Sequence, residues 1–229
     1  MPVATPVWTA ADDPQRPHRS FVLLLRAGVL LAGLGGLAAV TSQTDSLLCQ
    51  VDERIASLVA RRRTTAVIRA AHAVSELAEP AVAAAPLAVA ALITARRGGW
   101  LAGSKPVLTV LAGMTVRRRL SRMIARPRPP AANWLIEPEG FSLPSKHTTL
   151  AALTAGACAL TLGAGRPASD QAIAVAAASV GASRICLGVH WPTDVLAGWL
   201  FATAWLAMTW ALPGRGRESR RRPGVASCQ

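Results

Sequence analysis

The chain has 229 residues, of which 52% are hydrophobic and only 16% charged, whereas about a quarter of the residues in ordinary soluble domains are charged. The net charge is nevertheless +13, and the arginines lie in short clusters between long apolar runs. No nucleic-acid-binding motif accompanies these arginines, so we expect no nucleic-acid partner and instead expect membrane lipids and an anionic substrate. This pattern predicts an all-α, polytopic membrane protein.

The first predicted elements are a polar tail and a membrane-spanning helix. Residues 1–20 are predicted to form a cytosolic tail, and an apolar run over 21–40 begins a membrane domain predicted to cover 21–212. A signal peptide is the alternative for this run, although the run is longer than the usual signal core of 7–15 residues. Residues 44–63 are amphipathic and are predicted to lie on the membrane surface.

Five further apolar runs complete a predicted bundle of about six transmembrane helices. They cover residues 66–94, 100–124, 147–163, 170–189 and 190–212. A basic tail, 213–229, places both termini in the cytosol by the positive-inside rule. The loop 126–146 and the junction 189–194 then lie together on the extracytoplasmic side of a bacterial cell membrane. The arginines in this loop break the positive-inside trend, and anion binding would explain them.

Three polar segments meet on that side, and they suit phosphoryl transfer from a lipid. They cover residues 122–129, 144–147 and 183–194. Arginine forks bind the oxygens of a phosphate that carries nearly two negative charges. Without a metal, one side chain must attack phosphorus and another must protonate the leaving oxygen. His190 and His147 can fill these roles near neutral pH. Asp194 follows His190 by four residues, so on a helical turn its carboxylate can reach the imidazole.

The same segments resemble the signature of the type 2 phosphatidic acid phosphatase superfamily, which includes lipid phosphatases and vanadium haloperoxidases. The family pattern is Lys, six residues, Arg-Pro; then Pro-Ser-Gly-His; then Ser-Arg, five residues, His, three residues, Asp. Residues 183–194 match the third element fully, and Lys146 replaces the glycine of the second. Arg128 fits the first element, with Ser121 in the place of the lysine. An alternative register takes Arg126 as this arginine and would place Arg119 at the lysine position. We prefer Arg128, because members of the family often read Arg-x-Arg-Pro at this point.

The resemblance implies a role for each matching residue. His190 attacks phosphorus and becomes a phosphohistidine, Asp194 orients His190, and His147 protonates the leaving group. Three residues hold the phosphoryl oxygens: Arg128, Arg184 and Ser145. The family needs no metal, and the resemblance implies no cofactor.

The missing lysine at position 121 leaves the anion site short of one charge. Arg122 and Lys146 are the candidate replacements, and both are included among the predicted phosphate-binding residues. Adjacent helical positions point about 100° apart, which disfavours Arg122. We hypothesise that Lys146 restores the charge, while a position of Lys146 among the lipid headgroups remains the alternative.

Several other charged residues keep open interpretations. His72, Glu76 and Glu79 recur at helical spacing and either line a polar groove or contact water at the membrane surface. Arg117 and Arg118 are expected to extend toward lipid headgroups.

The sequence therefore predicts a lipid-phosphate or polyprenyl-diphosphate phosphatase. The outward-facing site favours polyprenyl diphosphates over phosphatidic acid, phosphatidylglycerol phosphate and polyprenyl-phosphate sugars. A non-catalytic transporter or lipid-binding protein on the same fold is the alternative, and a haloperoxidase is disfavoured because those enzymes are soluble. The sequence leaves the oligomeric state open.

Overall fold

The computed structural model describes residues 16–43, 46–163 and 165–211, and within these residues the chain is helical and has no β-strand. The helices of this part are, in chain order, α1 (Arg16–Thr41), α2 (Leu47–Arg61), α3 (Thr65–Glu76), α4 (Pro80–Gly98), α5 (Trp100–Ile124), α6 (Lys146–Thr161), α7 (Arg166–Cys186) and α8 (Pro192–Ala211). A single 3₁₀ turn of this part, Ala131–Asn133, lies between α5 and α6. The all-α prediction is confirmed. Most of the two predicted tails lies outside the described residues, and α1 begins inside the predicted first tail.

Helix α6 forms the centre of the bundle and packs against α4, α5, α7 and α8. Leu150, Ala152, Leu153 and Ala157 are buried and therefore cover more than one face of this helix. A helix that is apolar on all sides belongs in the interior, because it has no polar face to offer to water.

Helix α1 lies along α8 at the edge of the bundle. Small residues at the contact, Ala27 against Ala204 and Ala207, let the two helices approach closely. The opposite face of α1 exposes large apolar side chains such as Phe21 and Val29, as expected for a helix that contacts lipid.

The predicted single span over 66–94 is wrong, because the chain breaks between α3 and α4. Pro80 stands in the first turn of α4, where its missing N–H costs nothing. A proline also disfavours helical geometry in the residue before it, and Glu79 is accordingly extended (φ −70°, ψ 141°). The break brings Glu79, which stays half exposed, to the edge of a cavity that it lines.

Two helical stretches in the described part are long and apolar enough to cross a bilayer, 20–41 and 80–98. The count of six spans therefore stays a prediction. The predicted amphipathic segment is a helix, α2, whose N-cap Ser46 accepts a hydrogen bond from the backbone N–H of Cys49.

Candidate active site

A cavity of about 320 Å³ opens where α3, α6 and α7 meet the loop between α5 and α6. Five of the eight residues predicted for the site line this cavity: His147, His190, Arg128, Arg184 and Lys146. The remaining lining residues are His72, Ser75, Glu76, Glu79, Ile136, Glu137, Pro138, Glu139 and Leu187. For His72, Glu76 and Glu79, the groove-lining alternative is thus the one that the structure supports.

The short loop between α7 and α8 holds His190 in place. Gly188 has a positive φ of 79°, and a Cβ atom there would lie 2.1 Å from the carbonyl oxygen of Asn133. Only glycine fits this position, because other residues would suffer both the backbone strain and the collision. Pro192 then begins α8, so His190 is confined between two helix ends and is 1% exposed.

Asp194 lies in the first turn of α8 and is completely buried. Its Oδ2 atom accepts a hydrogen bond from the backbone N–H of Trp191 at 2.8 Å, as in a capping box. The same oxygen lies 3.3 Å from Nδ1 of His190 and accepts a hydrogen bond from the hydroxyl of Ser142. A carboxylate at a helix N-terminus is also favoured by the helix dipole. Asp194 is therefore fixed as a hydrogen-bond acceptor for His190.

The contact with Arg128 shows which nitrogen of His190 carries the proton. Its Nη1 atom lies 3.2 Å from Nε2 of His190, and a guanidinium can only donate. Nε2 is therefore the acceptor, and Nδ1 carries the proton that faces Asp194. Burial lowers the pKa of His190 to about 4, and the hydrogen bond to Asp194 opposes this shift only in part. The positive charges of Arg128 and Arg184 add to the lowering. The imidazole is neutral at neutral pH, and its Nε2 lone pair accepts from Arg128 at the cavity.

A second layer of buried charges supports Asp194 from behind. Nη1 of Arg126 donates to Oδ1 of Asp194 at 2.6 Å, and Nη2 of Arg126 donates to Oδ2 of Asp52 at 2.7 Å. Asp52 also accepts hydrogen bonds from the backbone N–H of Thr193, at 2.9 Å, and from its hydroxyl. Arg126 thus lies behind the site, whereas Arg128 lies on the cavity, as the preferred motif register requires.

The sequence reasoning missed Asp52, although the helical pattern held a signal for it. Leu48, Asp52, Ala56 and Val59 share the more buried face of α2, and an aspartate on that face needs a cationic partner. Ser142 gave no such signal, because its contact with Asp194 depends on the path of a long loop.

His147 lies at the start of α6 and has a less enclosed environment. Its Nε2 atom is 2.9 Å from Oε1 of Glu79, while Nδ1 is buried and has no hydrogen-bond partner among the described residues. The hydrogen bond with His147 lowers the pKa of Glu79, so Glu79 is a carboxylate at neutral pH. Ser145 is buried, does not line the cavity and caps α6 by accepting hydrogen bonds from Thr148.

The remaining cations divide between the cavity and other surroundings. Arg184 is buried, and it donates from Nη1 to the hydroxyl of Ser75 at 2.8 Å. Lys146 is partly exposed, with Nζ 3.5 Å from Oε2 of Glu139. Arg122 is exposed and does not line the cavity, so the structure does not bring it together with the other predicted residues.

The expectation for Arg117 is wrong, because its side chain turns inward and not toward lipid headgroups. Arg117 is buried, and Nε donates to the carbonyl oxygen of Pro144 at 2.7 Å. This contact fixes the backbone just before α6. Arg118, for which the same expectation was made, is exposed.

Comparisons with known proteins identify the family and the fold. The model of the PAP2 superfamily matches residues 102–218. The decaprenylphosphoryl-5-phosphoribose phosphatase of Mycolicibacterium smegmatis is 33% identical over 134 residues, which are 58% of this chain and 71% of that protein. A transmembrane PAP2-type phosphatidylglycerolphosphate phosphatase from Bacillus subtilis has a similar fold, with a TM-score of 0.68 and 24% identity over 81% of this chain and 94% of that one.

Proposed function

Because the chain belongs to the PAP2 superfamily, we propose that it hydrolyses a lipid-linked phosphate ester through a phosphohistidine formed on His190. It is a phosphoric-ester hydrolase of the membrane, like its relatives. The observation that carries the proposed mechanism is the state of His190. Asp194 holds the proton of Nδ1, and Nε2 faces Arg128 at the cavity, so a phosphate that draws the guanidinium to its oxygens would release the Nε2 lone pair for attack.

The reaction begins with attack by Nε2 of His190 on phosphorus. A P–N bond forms, the bond from phosphorus to the lipid oxygen breaks, and His147 gives its proton to that oxygen. Asp194 stabilises the positive charge that develops on the His190 ring. Water then attacks phosphorus with His147 as the base, the P–N bond breaks and inorganic phosphate leaves.

The cations of the cavity suit the charge of the transferred group. Arg128 and Arg184 approach from different elements, and the Nε atom of Arg184 lacks a partner among the described residues. A buried donor without a partner is costly, and a phosphoryl oxygen would satisfy it. Lys146 lies on the same cavity and supplies the charge that Ser121 does not.

The substrate is proposed to be a polyprenyl-linked phosphate. The relative from Mycolicibacterium smegmatis acts, by its name, on decaprenylphosphoryl-5-phosphoribose, so a polyprenyl-phosphate sugar that carries a terminal phosphate is the first candidate. A polyprenyl diphosphate is the second, and it follows from an extracytoplasmic active site.

The proposal is tested by phosphate release from purified protein in detergent without added metal. The panel contains a polyprenyl-phosphate sugar phosphate, a polyprenyl diphosphate, phosphatidic acid and phosphatidylglycerol phosphate. Activity is expected to survive EDTA and to be inhibited by orthovanadate, which imitates five-coordinate phosphorus. Loss of activity on chelation that magnesium or zinc restores would contradict the mechanism. Binding of these lipids without any turnover would favour the non-catalytic alternative.

The extracytoplasmic position of the site has a separate test. In a background with the four native cysteines replaced by serine, a cysteine at Pro138 is expected to react with an impermeant reagent in intact cells. A cysteine at Gly224 is expected to stay unlabelled. The reverse pattern would place the site in the cytosol.

A further inference from the structure

We propose that Glu79 is the positioning residue for the acid of this reaction, orienting His147 and favouring the imidazolium form that protonates the leaving oxygen. This inference rests on the proposed function, in which His147 is that acid. Glu79 lies outside the three motif segments and precedes the residues matched by the family model, 102–218.

The contact between the two residues supports this role. Oε1 of Glu79 lies 2.9 Å from Nε2 of His147, and both residues line the cavity. A carboxylate at this distance fixes the plane of the ring and favours its charged form. The arrangement parallels the pair of Asp194 and His190, but here the carboxylate comes from a distant part of the chain, the break between α3 and α4.

The other charges around His147 make a carboxylate necessary. Arg184 of α7 and Lys146 of α6 are cations that repel an imidazolium. Arg128 adds a third cation to the same cavity. Glu79 is the carboxylate that contacts His147, and it therefore opposes the repulsion that the phosphate-binding cations impose on the acid.

The second ring nitrogen supplies an independent observation. Nδ1 of His147 is buried and has no hydrogen-bond partner among the described residues, and the whole side chain is only 10% exposed. Since Glu79 occupies Nε2, Nδ1 is the nitrogen that remains for the leaving oxygen. The unmet hydrogen bond is then made when substrate is present.

The chain break before Pro80 explains why Glu79 can reach this position. If α3 and α4 were one continuous helix, Glu79 would follow Glu76 on the same helical surface. The extended conformation of Glu79 instead brings its side chain to the start of α6, while half of that side chain stays exposed to the cavity. A substitution here is therefore expected to leave the fold intact.

The test uses two phosphate esters that differ in their need for an acid. The leaving group of octyl phosphate is an alkoxide, which requires a proton. The leaving group of 4-nitrophenyl phosphate is a phenolate, which is stable without one. In Glu79→Gln, kcat/KM for octyl phosphate is expected to fall about 100-fold, in the range of general acid catalysis, and kcat/KM for 4-nitrophenyl phosphate less than about threefold. Glu79→Asp is expected to recover part of the activity on octyl phosphate.

A matched control and a double variant make the result decisive. Glu76→Gln removes a carboxylate from the same cavity and is expected to change kcat/KM for both esters by the same factor. Combining Glu79→Gln with His147→Ala is expected to cost no more than His147→Ala alone, because the two residues act as one unit. If Glu79→Gln does not fold, Glu79→Asp serves in the same comparison.

The outcomes separate this proposal from the function on which it rests. Equal losses of kcat/KM on both esters in Glu79→Gln would overturn the positioning role, as would wild-type kinetics on both. An inactive wild-type protein on every ester and lipid phosphate would instead overturn the proposed function.

Discussion

The two histidines of the cavity differ in how the fold surrounds them. His190 is 1% exposed and contacts Arg128, Asp194 and Ser142, and Asp194 is supported in turn by Arg126. The side chain of His147 contacts the half-exposed Glu79, and its second ring nitrogen has no partner among the described residues. His190 is thus contacted at both ring nitrogens, while His147 has one ring nitrogen that no described residue contacts.

This difference matches the demands of the two proposed roles. A nucleophile must present one lone pair in one direction, so a rigid and neutral imidazole serves it best. An acid must exchange its proton with a leaving group and then with water, and it needs a nearby opening. Substitutions around His190 and around His147 are therefore expected to differ in the size of their effects on activity and stability.

The largest effect is expected for the nucleophile itself. His190→Ala should reduce kcat by about 10⁵-fold or more, because no other group can form the intermediate. Phosphate release from the best lipid substrate measures this, together with acid-labile labelling of the protein by a radioactive substrate. Near wild-type activity in this variant would refute the phosphohistidine mechanism.

The buried layer behind His190 predicts a loss of stability. Asp52→Ala leaves Arg126 with one of its two carboxylates and should lower the free energy of unfolding by about 3 kcal/mol. Glu139→Gln is the control, because the Glu139 side chain is 87% exposed and its pair with Lys146 should contribute less than about 1 kcal/mol. Unfolding in mixed detergent micelles measures both. Equal stability of the two variants would show that the buried layer does not support the site.

A smaller effect is expected on the side of His147. Lys146→Gly should lower kcat/KM about 10-fold, in line with the loss of a charge-assisted contact of about 1.5 kcal/mol. Adding Ser121→Lys should recover part of the loss if the charge has moved from one wall of the site to the other. Unchanged kinetics in Lys146→Gly would show that this lysine serves the headgroups and not the phosphate.

The smallest effect concerns pH. The pKa of His190 is lowered to about 4, so protonation removes the nucleophile only as the pH falls toward that value. Between pH 7 and 5.5, kcat/KM for 4-nitrophenyl phosphate, whose leaving group needs no acid, should change less than about twofold once the ionisation of the substrate, followed by ³¹P NMR, is taken into account. A remaining inflection near pH 6.5 would indicate an ordinary, exposed histidine.

The contacts that the sequence could predict are those between residues close together in the chain. His190 and Asp194 lie four residues apart at a helix start, and that spacing alone implies their contact. The helical class followed from the apolar runs. The split of the second run was missed, although Pro80 marked the place, because the run of alanines and valines around it continues the apolar pattern.

The rest of the site depends on contacts between residues that are distant in the chain. Asp52 reaches Arg126 across 74 positions, and Glu79 reaches His147 across 68. No local periodicity in the sequence indicates which distant residue either carboxylate contacts. Arg117 was misinterpreted for the same reason, since its partner is a backbone carbonyl at the other end of a loop.

The two supporting carboxylates have a consequence for anyone who exchanges segments between relatives. Asp52 and Glu79 both precede residue 102, where the match to the family model begins. A chimera that joins residues 102–229 of this chain to the leading segment of another member would inherit every motif residue, yet it would depend on the donor for both carboxylates. Grafting is therefore expected to succeed only where the donor segment also carries acidic residues at these two places.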